Sequence, residues 1–167
     1  MDRTLDSTLL HITRLRLTDD YPGQIRACLA GLSDEQIWWR PNEQANAVGN
    51  LVLHLIGSNH YYLEHVIAEH ELVRDRAAEF SARGVPGKAG LQAAWDASVA
   101  TTSAVLASLE PSQMAQLTER TGRTTSFAQI LLHVTHHNAT HMGQIVWIAK
   151  MLAPGVVDDL WMKMRTK

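Results

Sequence analysis

The stretch LLHVTHHNATHMGQIVWIAK, residues 131–150, decides how the chain is read. It holds no proline, and Ile130, Val134, Ile145 and Ile148 recur near a 3.6-residue period, so it reads as a helix with one apolar side. His133, His137 and His141 share that sector, because each four-residue step turns the helix by only about 40°. His136, about 100° from His137, is the poorer partner. Two imidazoles at positions i and i+4 can approach one ion from a single helix, as they do in HExxH. Asn138 stands where that metalloprotease pattern has its glutamate, so its general base is absent. Each imidazole on a half-apolar stripe needs partners for its ring nitrogens. A metal meets that need and so does ordinary hydrogen bonding, so the spacing alone leaves both readings open.

Reading outward from this helix gives three more. Threonines supply a start signal for a helix over about 126–152, and Pro154 with Gly155 stops it. Further helices are expected at about 5–32, 48–71 and 91–109, separated by stretches rich in turn residues. Pro22 and Gly23 mark a kink or a restart in the first. Ser33 followed by Gln36 reads as a capping box ahead of Trp38 and Trp39, and Pro41 pushes Arg40 out of helical space. The charged run ELVRDRAAEF, 71–80, leads into RGVPGKAG, 83–90, the clearest loop signal. Pro111 breaks the third helix or opens a short turn. These features predict an all-α protein, an up-down-up-down four-helix bundle forming one domain over 1–167.

The chain has 167 residues, 46% of them apolar, which suits one domain with its own core. Lys plus Arg number 15 against 17 acidic residues, a net charge of -2, which argues against phosphate neutralisation and so against a nucleic-acid partner. The short basic pieces RLR, 14–16, and WMKMRTK, 161–167, read as solvated. No apolar run approaches the roughly 20 residues of a membrane span, and no secretory signal opens the chain. One cysteine, Cys28, cannot pair within the chain and reads as a small buried hydrophobe, so a cytoplasmic protein is expected. Nine histidines against two phenylalanines make imidazole the informative surplus.

A metal site needs a third ligand, and helix two offers His54 within NLVLHLIGSNHYYLEHV, residues 50–66. His54 shares a face with Leu51, Leu55 and Ser58, so it is either a satisfied core residue or a ligand. His65 shares that face but lies roughly 16 Å farther along, and His60 points elsewhere. His54 is preferred, on a choice that depends on how the two helices are oriented. Ser58, Asn59, Tyr61 and Tyr62 could line a cavity, but their helical phases diverge. Gln144 could bond to a ligand ring or serve as a surface amide. His133 could be a supporting group, a proton acceptor or an ordinary histidine. Trp38 and Trp39 read as a hydrophobic closure of one bundle end.

The segments WWRP (38–41), GNLVLHLIGS (49–58) and HHNATHMGQIV (136–146) together resemble the DinB-like superfamily of metal-binding four-helix proteins, over about residues 20–152. That group includes thiol-dependent transferases and isomerases. The resemblance implies a divalent metal on His54, His137 and His141, and commonly a homodimer. It leaves the ion's remaining positions to water, hydroxide or a thiolate. Zinc or nickel is favoured, with iron or manganese also compatible with the donors. The expected function is an enzyme in which a metal-bound small thiol or water attacks a small electrophile, transferase-like or hydrolase-like. The alternatives are a thiol-cofactor-dependent isomerase and a non-catalytic metal-containing structural or stress-related binding protein.

Overall fold

The structure, a computed structural model, describes residues 4–155; the basic tail at 161–167 lies outside them. The first rod begins with α1 (Leu5–Leu15), capped by Thr4, whose hydroxyl accepts from the Ser7 N–H at 3.2 Å. It continues without a break through a π-helical turn, Arg16–Asp20, into α2 (Tyr21–Gly31). Pro22 has no N–H to give the preceding turn, and just before it the Tyr21 N–H reaches back to Arg16 O, five residues away. The widened turn therefore absorbs the proline where a sharp kink was one of two expectations. Ser33 and Gln36 form the expected capping box at the start of the short α3 (Asp34–Trp38).

Helix two is α4 (Val48–Asn59), prolonged by a π-helical segment, His60–Ile67. It ends at Ile67, short of the expected 71, and the chain then turns back along α4 through α5 (Arg76–Ser81). Helix three is α6 (Lys88–Ser108), and a turn of 3-10 helix follows it at Pro111–Gln113. The connection onward contains a two-stranded hairpin, β1 (Leu117–Thr118) paired antiparallel with β2 (Thr125–Ser126), which an all-helical reading did not expect. Helix four is α7 (Phe127–Leu152), capped by Ser126 and Gln129 in a second capping box.

The chain is an all-α bundle, but its rods do not alternate as up-down-up-down. Arg14 Nε donates to Leu106 O at 2.9 Å and Lys88 Nζ to Ala30 O at 2.7 Å, so the first rod runs antiparallel to α6. Asn138 Nδ2 donates to Asn59 Oδ1 at 2.7 Å while His54 lies against His141, so helix two is antiparallel to α7. Helices two and three run parallel: residues near Leu51 pack with Leu91 and Trp95, and Leu63 and Val66 pack with Val105 and Leu106. The order is therefore up, down, down, up. The physical reason is the return segment after Ile67, which carries the chain back to the starting end before helix three begins. Residues 71–90 read as a charged loop do not announce that they span the bundle's length.

Two apolar clusters fill the interior. One is built on Ile25, Leu29, Leu55, Trp95 and Ile145, the other on Leu10, Leu63, Leu106, Ile130 and Val134. The tryptophan pair divides: Trp39 is 37% exposed, while Trp38 packs onto the first cluster. The Trp38 ring lies so close over Gly49 that a Cβ there would stand 2.8 Å from two of its carbons. An indole cannot bend away as a flexible side chain can. Gly49→Ala is therefore expected to destabilise by about 1–3 kcal/mol despite alanine's better helix propensity, as urea unfolding would show.

Candidate metal centre

Helix two and helix four cross so that His54, His137 and His141 converge. Each offers one ring nitrogen within 4.8 Å of the other two, among the described residues. His54 is buried; His137 and His141 are half-buried. The ring centroids stand 4.9 Å apart for His54 and His137, 5.0 Å for His54 and His141, and 4.5 Å for His137 and His141.

The hydrogen bonds fix which nitrogens are free. His54 Nδ1 lies 2.9 Å from Glu79 Oε2, and a carboxylate only accepts, so Nδ1 carries the proton and Nε2 presents a lone pair. Arg74 Nη2, 3.3 Å from the same Nδ1, belongs to Glu79 instead: Arg74 Nε donates to Oε1 at 2.6 Å and Nη2 to Oε2 at 2.9 Å. His141 Nδ1 donates to Gln144 Oε1 at 2.8 Å, which leaves its Nε2 free in the same way. His137 Nε2 faces His54 Nε2 at 3.0 Å, while His137 Nδ1 is buried with no partner among the described residues. A cation would be attracted by both facing lone pairs, with the hydrogen of His137 on Nδ1. Three imidazoles with converging free nitrogens form a donor set suited to a divalent metal, so the residues present fit such an ion.

Electrostatics favours the same state. Burial pushes His137 down to about 3, and the neighbouring histidines add to the effect. Burial also lowers His54, outweighing the Glu79 hydrogen bond that would raise it. Both rings are thus neutral at neutral pH, with lone pairs available. Neither His137 nor His141 is fully buried, so the trio is not sealed inside the core.

Glu79 and Arg74 are the residues that sequence reasoning missed. Glu79, on α5, is 8% exposed and lies directly against helix two. Its approach is possible because residue 57 is glycine: a Cβ there would fall on Glu79 Oε1 and stand 3.0 Å from Arg74 Nε. Asn50 holds the same segment, its amide donating to Glu79 O at 3.0 Å and Ala82 O at 3.1 Å. Phe80 lies against His54 at 4.7 Å between centroids. A glycine inside an apolar helix face was the sole signal, and it does not name its visitor.

The other candidates are dispersed. Gln144 bonds to the His141 ring, one of the two roles it was given. His133 stacks on His137 at 5.7 Å between centroids without joining the trio. His65 faces His70 O at 2.8 Å, at the far end of helix two, and His60 pairs with Glu64 at 3.3 Å. Asn59 is consumed by its buried amide pair with Asn138. Cys28 is buried, and its thiol is pushed up to about 12 by that burial, as expected of a packing residue.

A family model described as mycothiol-S-transferase matches residues 16–149. A crystal structure of a DinB-like protein, YjoA of Bacillus subtilis, is similar in fold, with a TM-score of 0.63 at 17% identity, covering 83% of this chain and 90% of that one. No curated protein matches the chain.

Proposed function

The chain belongs to the mycothiol-S-transferase family, and from that membership we propose that it is a divalent-metal-dependent transferase joining a low-molecular-weight thiol to a small electrophile. The observation that carries this reading is the convergence of three histidines whose free nitrogens have no protein donor among the described residues, two of them only half-buried. His54, His137 and His141 would hold the ion, with zinc or nickel favoured and iron or manganese compatible. When bound, such an ion lowers the pKa of a thiol so that the thiolate is available near neutral pH.

The chain's own residues supply orientation. Glu79 fixes the tautomer and plane of His54, and Arg74 holds Glu79 by two hydrogen bonds, so the ring cannot rotate without giving up its bond to a carboxylate already fixed in place. Gln144 does the same for His141. His133, one turn from His137 and with no hydrogen bond at either ring nitrogen among the described residues, is placed to accept the thiol proton. In the reaction the S–H bond breaks and His133 takes the proton, sulfur forms a bond to the electrophilic carbon as the carbon–halogen bond breaks, and the halide leaves, with the proton passing on to solvent.

The incomplete burial of His137 and His141 favours a reactive site over a purely structural tie between helices. A single buried cysteine suits a reducing cytoplasm. No helix among the described residues is long and apolar enough to cross a membrane. Leu132, 48% exposed, Trp147, 65%, and Met151, 45%, lie along the outer side of α7, a surface on which a homodimer could form and sedimentation would detect it.

The test is consumption of a haloalkyl electrophile by metal-replete protein with and without mycothiol. Consumption is expected only with the thiol, is lost after chelation, and returns on adding zinc or nickel. Consumption that ignores the thiol would make the protein a hydrolase, and none at all with any metal would remove the transferase reading.

A further inference from the structure

The return segment between Ile67 and Lys88 encloses a cavity of about 380 Å³ against helix two, and no step of the chemistry above uses it. Its volume falls within the roughly 300–1,000 Å³ of small-molecule sites. Leu53 and Ile56 of helix two and Leu72, Val73 and Val85 of the return segment supply apolar walls. Val73 and Val85 are exposed, so a molecule seated here would bury apolar surface that the fold leaves in water. None of His54, His137 and His141 lines this cavity, but Glu79 does, and its Oε2 is the partner of His54 Nδ1. The cavity and the histidine trio therefore share one wall, the Arg74–Glu79 pair. A molecule held here touches the pair that aims His54 and not the histidines themselves.

The groups left uncommitted define the chemistry of the occupant. Nε and Nη2 of Arg74 are spent on Glu79, so the guanidinium has Nη1 to offer. Both Glu79 oxygens are taken, Oε1 by Arg74 and Oε2 by Arg74 and His54. Asp75 Oδ1 accepts from the Ala78 N–H at 2.9 Å and caps α5, and among the described residues no cation pairs with this carboxylate. Two carboxylates against one guanidinium disfavour an anion in this lining. A cation fares no better, because Asp75 is exposed and water screens its charge, while Arg74 would repel the newcomer. The charge of Arg74 is already met by Glu79, so what suits its spare N–H groups is a neutral acceptor. An uncharged molecule, apolar over most of its surface and carrying a carbonyl oxygen, satisfies the walls and the guanidinium together.

We propose that this cavity is an effector site for an uncharged, mostly apolar molecule bearing a carbonyl-type oxygen, linked to the metal centre through Arg74 and Glu79. A ligand bonded to Arg74 requires the return segment to lie as it does here, and a metal requires His54 as Glu79 holds it. Occupancy of either site therefore favours the other, and the effect is reciprocal. The link rests on the trio holding a metal, whereas binding in the cavity does not. The probes are N-benzylacetamide and 3-phenylpropanoate, a neutral amide and an anion of matched size, titrated into zinc-replete and zinc-free protein and followed by NMR shifts. The amide is expected to bind the zinc-replete protein with a Kd of about 1 mM, and the acid about tenfold more weakly. Ala78 lines the cavity from an exposed position, so Ala78→Leu should fold, fill the space and weaken the amide about tenfold. Asp75→Asn keeps a residue able to cap α5 and should narrow the gap between amide and acid to about threefold. Without zinc the amide should bind about fivefold more weakly. Equal affinity for the two probes, or an amide indifferent to Ala78→Leu, would overturn the site, and so would amide binding that His137→Ala abolishes, since that places the amide on the trio. Amide binding that responds to Ala78→Leu in a chain that takes up no zinc would uphold the cavity and remove the metal reading. Zinc uptake with the same amide affinity in both states would overturn the link.

Discussion

His137→Ala protein should fold, fail to retain a stoichiometric divalent ion, and lose the thermal stabilisation that metal confers. A structural zinc bound by four protein ligands contributes about 10–16 kcal/mol, roughly 3 kcal/mol per ligand, so removing one of three imidazoles weakens the metal by about a hundredfold or more. Metal present at about 100 times its Kd stabilises the folded chain by about 2.7 kcal/mol, a rise of about 5–11 °C in Tm for a domain of this size. The variant should show almost none of that rise under the same conditions. In the metal-free state His137 carries a buried nitrogen without a partner, so its loss relieves a cost that partly offsets the cavity it leaves. Scanning calorimetry with and without zinc, together with metal analysis after gel filtration, separates the two effects. A variant that keeps the full metal-dependent rise would place the ion elsewhere.

Gly57→Ala carries the second large effect, opposite in sign to what composition suggests. On helix propensity alone the change should stabilise by about 1 kcal/mol. The new methyl group would occupy the place of Glu79 Oε1, and Glu79 cannot step aside freely, because Arg74 grips both its oxygens and His54 bonds to one. The side chains of Arg74 and Glu79 are 18% and 9% exposed, so separating them strands charge in a mostly desolvated place. Breaking a buried pair costs about 3–5 kcal/mol, so a net loss of about 2–4 kcal/mol is expected after the propensity gain. Metal affinity should fall by about 10–100-fold as well, since His54 loses the group that orients it. Chemical unfolding reads the first and a competitive chelator titration the second. A stabilised variant with unchanged zinc affinity would show that Glu79 has no hold on His54.

The helices and the His137–His141 pair were legible because they rest on local periodicity. His137 and His141 lie one turn apart on one helix, a relation fixed by helical geometry, and Ser33 with Gln36 acts as a cap through contacts three residues apart. His54 required the relative placement of two helices, which the sequence suggested through resemblance and not through spacing. Glu79 was illegible for a different reason. It occurs in a charged run, where a solvated carboxylate is the ordinary outcome, and its burial depends on a glycine 22 positions earlier and on a crossing that local pattern does not encode. The direction of helix three was hidden by the same crossing. The π-helical stretches escaped too, since a helix one residue wider per turn keeps nearly the same apolar pattern.

The return segment between Ile67 and Lys88 has a bearing on protein engineering. Surface connections usually accept shortening, and replacing this one by a tight turn would reverse helix three, with helices two and four kept in their antiparallel crossing only by a longer connection ahead of α7. Such a redesign would retain all three imidazoles and discard Arg74 and Glu79 with the excised residues. The scaffold would keep its ligands and lose their aim, so anyone transplanting this centre onto an idealised framework must carry the crossing along with the histidines.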